Sequence, residues 1–241
     1  MTAEREEPNE EEGFGAILRG AMVIFDKDLR TEARTKEILL TMGFFGLLVV
    51  LIFSMSFYRG DVPLQVIVPG ILWVAIAFAG TLGLSRAFDR ERENDCIRAL
   101  MLSPVPRASI YLGKLFGILT FMLVVELVVA PAVAFFFSLP LDVDRVLRIA
   151  AVLLLGTIGY AIVGTALAAA LMRAHSRDVL LAIVIYPFVV PVMIAGVKAT
   201  AAMLESRPLV DDYKLWLAFL VFFDSVFLVL SLWTFESLLL D

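Results

Sequence analysis

LFGILTFMLVVELVVAPAVAFFFSLPL, residues 115–141, holds one charged residue, Glu126, in an otherwise unbroken apolar run. At about 1.5 Å per residue, a helix through it is long enough to cross a hydrocarbon core of about 30 Å. The pattern recurs on both sides, in 38–58, 64–85, 149–172, 179–197 and 215–235, where Asp224 is the second internal charge. Six transmembrane helices are therefore predicted, since a β-barrel would show short alternating segments instead. The whole chain agrees: it is 61% hydrophobic with mean hydropathy +0.91. Lipid, not water, is the expected solvent for most of it.

The net charge of −5 says little about orientation, which follows the placement of Lys and Arg. Arg5, Arg19, Lys27, Arg30, Arg34 and Lys36 precede the first span; Arg86, Arg90, Arg92, Arg98, Arg107 and Lys114 lie between the second and third; Arg173 and Arg177 lie between the fourth and fifth. The other side collects Arg59, Arg145, Arg148, Lys198, Arg207 and Lys214, fourteen against six. Both termini are expected on the cytoplasmic side. Cys96, the single cysteine, falls on that side and excludes an intrachain disulfide.

Residues 1–12 read as an acidic, solvated tail without the pattern of a secretory signal. Residues 13–37 place Phe14, Leu18, Ala21 or Met22, Phe25 and Leu29 at helical spacing, with most basic residues elsewhere around the helix. That predicts an amphipathic helix in the membrane interface, followed by a permease domain over 38–241. The segment 198–213 is expected to hold a short helix ending before Pro208. Small residues at i, i+4 spacing (Thr157, Ala161, Thr165 and Ala169; Ala75, Ala79 and Gly83; Gly113 and Gly117) support close helix packing without naming a partner.

The densest charge in the chain runs from Arg86 to Arg98. Alternating signs through Arg86, Asp89, Arg90, Glu91, Arg92, Glu93 and Asp95 allow i,i+3 and i,i+4 pairs on a solvated helix. Cys96, Ile97, Leu100 and Met101 then share one face of a short helix that stops before Pro104. A charged stalk with an apolar ridge fits a docking element, although a solvated face or a membrane-surface contact would also account for it.

Glu126 and Asp224 are the intramembrane polar candidates. Glu126 lies about 18 Å along its helix from Lys114, and Asp224 about 15 Å from Lys214, which puts both near the midplane. Three roles fit such costly groups: an interhelical hydrogen bond, a polar element of a conformational or substrate path, or a proton relay. Pro187 and Pro191 are expected to kink the fifth span. No GxxxxGK[ST] is present, so an ATP phosphate cradle is excluded from this sequence and no catalytic residue is assigned. His175, the single histidine, sits in a loop and reads as a surface histidine. No metal site and no nucleic-acid partner are expected.

The strings IFDKDLRTEARTKEILLTMGFFGLLVVLIFSMSF, VPGILWVAIAFAGTLGLSRAFDRERENDCIRALMLSPVPRASIYLGK and VVELVVAPAVAFFF closely resemble the haem exporter B family, CcmB, over about residues 24–200. The resemblance is specific in PGILW, ERE, LMLSPV and GK. It implies an all-α integral membrane protein of the bacterial inner membrane, ABC exporter permease-like, with six transmembrane helices, to which the residue pattern above adds the N-terminal interfacial helix. It also implies a separate CcmA-like ATPase that binds ATP, CcmC- and CcmD-like membrane partners, and an indirect link to a CcmE-like haem chaperone in c-type cytochrome maturation. Haem is then the possible cargo of the complex, and two copies of the chain, or one copy with a pseudo-equivalent partner, are expected.

Under that resemblance the loop 86–107 is a coupling element inserted into the ATPase. Arg86, Arg90, Glu91 and Asp95 would set orientation there, and Ile97, Leu100 and Met101 would fill the cleft. Two rivals share the physical pattern. One is an ABC exporter permease for a lipid, drug or polysaccharide. The other is an ion-coupled secondary transporter working through Glu126 and Asp224.

Overall fold

The computed structural model describes residues 10–57, 63–93, 107–139, 142–171, 174, 177–205 and 209–238. Seven α-helices fill them: α1 (Glu10–Thr35), α2 (Glu37–Ser56), α3 (Leu64–Glu93), α4 (Arg107–Phe136), α5 (Val143–Ala170), α6 (Arg177–Leu204) and α7 (Val210–Leu238). Six of them, α2 to α7, contain windows long and apolar enough to cross a membrane. Their continuity follows from the absence of water: a backbone inside lipid satisfies its own N–H and C=O groups along the helix.

α1 and α2 are separated by one residue. Lys36 adopts a left-handed conformation, φ 55°, which breaks the helix and redirects the chain. The Glu32 carboxylate reaches across the break and accepts from the Leu39 amide at 2.9 Å, closing one of the N–H groups a new helix leaves open. At the far end of the bundle the Asp142 side chain caps α5 by accepting from the Arg145 amide at 2.8 Å.

α3 is the central helix. Of its apolar window 61% is buried, against 22% for α2 and for α7. It packs on α2, α4, α5 and α6. Trp73, 2% exposed, drives its ring between α5 and α6 onto Gly156 and Gly196, where a Cβ on either glycine would overlap the indole. Its Nε1 donates to the Thr200 hydroxyl at 3.2 Å. One turn further on, the Tyr160 hydroxyl of α5 donates to the Ala77 carbonyl at 2.9 Å and stands 2.7 Å from Thr81. Amphipathic rings and glycine notches thus lock three helices together with their polar tips satisfied.

Several expectations change. α6 runs unbroken past Lys198 to Leu204, so residues 198–204 are its last turns and not a separate short helix. Lys198 is exposed on that helix and does not end it. Pro187 and Pro191 lie inside the continuous α6, joined by Pro69 in α3 and Pro131 in α4.

The small-residue stripes acquire partners. Gly113 and Gly117 of α4 form the seat of α1: a Cβ at Gly113 would stand 2.8 Å from the Ala21 carbonyl oxygen, while one at Gly117 would lie 3.8 Å from Asp28. Gly83 of α3 receives Met42 of α2. Ala75, Ala79, Thr157, Ala161 and Thr165 are all buried. The face of α1 that packs on α4 carries Ala21, Ile24, Asp28 and Glu32, rotated away from the Leu18, Met22 and Leu29 line, which stays exposed.

Candidate functional site

The end of the bundle where α3 runs toward α4 carries a layer of charges set among apolar side chains. Lys114 of α4 is buried and its ammonium donates to Asp28 of α1 at 2.7 Å. The Phe88 ring of α3 has two cations close to it, Lys114 Nζ 5.8 Å and the Arg177 guanidinium 5.9 Å from the ring centroid. Arg177, 2% exposed at the start of α6, also donates through Nη2 to the Ser85 carbonyl at 2.9 Å. These contacts tie α1, α3, α4 and α6 at one level. Buried charges are retained only with such partners, because removing water from an unpaired ion costs several kcal/mol.

Arg86 points from α3 to α2, where its Nη1 donates to Glu37 at 3.2 Å. Both groups are half exposed, so the pair contributes only about 0–1 kcal/mol. Arg90 and Glu91 fall in the last turns of α3, which runs on to Glu93 beyond its apolar window ending at Phe88. Asp95, Ile97, Leu100 and Met101 lie outside the described residues, as do Cys96 and His175. Among the described residues, no three His, Cys, Asp or Glu side chains gather as a metal ion would need.

The intramembrane acids are both buried, Glu126 at 6% and Asp224 at 7% exposure. The Thr157 hydroxyl of α5 donates to Glu126 Oε1 of α4. Asp224 of α7 presses its carboxyl against Gly159 of α5, beside Val192 of α6, and neither oxygen has a hydrogen-bond partner among the described residues. Thr157 and Gly159 are two residues apart, about 200° around α5 at 3.6 residues per turn. The two carboxyls therefore sit on different sides of α5 and do not form a direct dyad.

Sequence reading missed Asp28, Glu32, Lys114 and Arg177 as structural charges. Lys114 and Arg177 sit at span ends, where they resemble orientation signals, and Asp28 and Glu32 lie in the charged segment before the first span. The GxxxG pair beside Lys114 was the available clue that another helix lands there.

The CcmB protein family model matches residues 19–239. The chain is 31% identical over 185 residues to the Heme exporter protein B of Pseudomonas aeruginosa, covering 77% of this chain and 81% of that protein. It is also 32% identical over 91 residues to the Heme exporter protein B of Escherichia coli K12, covering 38% of this chain and 41% of that one. Together with six span-competent helices, a match from the first helix to the last places this multi-pass membrane protein in the CcmB family.

Proposed function

We propose that this chain is the membrane permease subunit of an ABC-type complex in which a separate ATPase drives haem delivery or haem-chaperone release for c-type cytochrome maturation. The observation that carries the reading is the likeness, over 77% of the chain, to a protein named Heme exporter protein B. On this reading the chain is non-catalytic, ATP binds the CcmA-like partner, and CcmC- and CcmD-like subunits complete the complex. Haem is cargo of the assembly rather than a resident cofactor of this chain.

The geometry supplies a route for the coupling. α3 extends past its apolar window, which ends at Phe88, and the centroid of the Phe88 ring lies 5.8 Å from Lys114 Nζ and 5.9 Å from the Arg177 guanidinium. A force applied through Ile97, Leu100 and Met101 would reach α3 and α4 directly and, through Arg177 and Asp28, α6 and α1. Arg86, Arg90, Glu91 and Asp95 would orient the ATPase at the rim.

The Lys and Arg placement supports cytoplasmic termini, and membership of the CcmB family supports an ABC exporter permease-like arrangement in the bacterial inner membrane. The exposed Leu18, Met22, Val23 and Leu29 beside exposed Arg19, Lys27, Arg30 and Arg34 support α1 as an interfacial helix. The little-buried, apolar α2 and α7 leave surface for a second copy or a membrane partner.

Deleting the gene and staining c-type cytochromes for covalent haem tests the reading. Loss of that haem, restored by the wild-type chain, is the expected result. Normal cytochromes would instead favour a permease for another cargo. Activity without any ATPase, abolished by Glu126→Gln, would favour the ion-coupled transporter.

A further inference from the structure

A cavity of about 560 Å³ opens between α4 and α5, in the half of the bundle next to their connecting turn. That volume is within the range of about 300–1,000 Å³ of small-molecule sites. Leu123, Val133, Ile149 and Leu153 are typical of its wall, and Leu127 and Leu154, 76% and 43% exposed, stand at its edge. Pro131 lines it too, and its missing N–H leaves the Leu127 carbonyl without its helical donor at the same level. Because both helices are membrane spans, the medium at this mouth is lipid.

The chemistry of the wall narrows the occupant. Among the described lining residues the polar side chains are Glu126 and Thr200, and both are engaged, Glu126 accepting from Thr157 and Thr200 from Trp73. Among the described lining residues there is no His, Met, Cys or Tyr to ligate an iron and no aromatic ring on which a flat ligand could stack. Every other lining residue is aliphatic. Such a wall suits a flexible hydrocarbon chain, which needs no polar partner and recovers the dispersion contacts an empty space forfeits.

We propose that this cavity is a lipid site that takes one acyl chain of a membrane phospholipid laterally between α4 and α5. Occupancy wedges the α4 and α5 walls on the side where Glu126 and Thr157 join them, so the bound chain sets the spacing of that pair. The site is separate from any path taken by haem, and its existence does not depend on the function proposed above.

Trp73 is the built-in reporter, since it is 2% exposed and bonded to Thr200 on the cavity wall. The full chain carrying Trp216→Phe and Trp233→Phe, which leaves Trp73 alone, is reconstituted in phosphatidylcholine with or without mid-chain bromines. Bromolipid is expected to quench Trp73, and Ala150→Phe or Ala134→Leu, each filling the cavity, is expected to remove most of that quenching. Emission maximum and monodispersity identify whichever filled variant retains the fold. Absence of quenching, or equal quenching in the filled variants, overturns the proposal. Quenching by a free dibromoalkane but not by bromolipid also overturns it, assigning the cavity to free hydrocarbon.

Discussion

Lys114 shows how a single residue can look like one thing in the sequence and act as another in the fold. It reads as a span-end orientation charge, yet it is buried and paired with Asp28 at 2.7 Å. Removing Lys114 leaves Asp28 only the more exposed Lys27, whose Nζ lies 3.2 Å from its other carboxylate oxygen. Lys114→Met is therefore expected to lower stability by about 1–3 kcal/mol. The double variant Lys114→Met with Asp28→Leu should recover part of that loss, which thermal unfolding of both in the same detergent will measure. Asp224 gives the opposite expectation. Neither of its oxygens has a hydrogen-bond partner among the described residues, so Asp224→Val breaks no such bond there and should unfold no earlier than wild type. Thr157→Val, by contrast, deprives Glu126 of its donor and should cost about 1–3 kcal/mol. A loss of function in Asp224→Val without a loss of stability would mark that carboxyl as working rather than structural.

At the scale of elements, the seat of α1 on α4 is the contact most open to test. The two glycines of the GxxxG pair are not equivalent. Gly113 leaves no room for a Cβ beside the Ala21 backbone, and neither helix can give there without separating. Gly113→Ala is expected to destabilise by about 1–3 kcal/mol through overpacking. Gly117 has ordinary van der Waals space, so Gly117→Ala should stabilise by up to about 1 kcal/mol through helix propensity. Equal effects of the two changes in thermal unfolding would contradict this packing. The break between α1 and α2 makes a further point. Lys36 holds φ 55°, a conformation costing a non-glycine residue about 1–2 kcal/mol. Lys36→Gly should raise stability slightly, the gain reduced by the chain entropy that glycine adds to the unfolded state, whereas Lys36→Val should lower it.

Across the whole molecule, the spans were legible because hydropathy at this length has one economical meaning. Their contacts were not. Alanine and glycine stripes announce close approach, but the partner depends on how the helices are arranged, and the seat for α1 emerged only when Gly113 met Ala21. Lys198 looked like the end of a span, yet an exposed lysine with a long stem lets a helix continue beneath it. That Glu126 and Asp224 fall inside apolar spans was readable by counting residues, whereas their separation around α5 needed Thr157 and Gly159 in place. The charged segment beyond Glu93 was conspicuous in sequence because charge is rare in this chain.

The central claim is that this permease is worked by a bound ATPase through the segment following α3. Affinity purification of wild type and Leu100→Asp from native membranes tests it directly, scoring the ATPase recovered with each and the covalent haem in c-type cytochromes of the same cells. The account predicts an ATPase with wild type, and loss of both that partner and cytochrome haem in Leu100→Asp at unchanged membrane abundance. Recovery of no ATPase with wild type, or full recovery and normal cytochromes with Leu100→Asp, would contradict it.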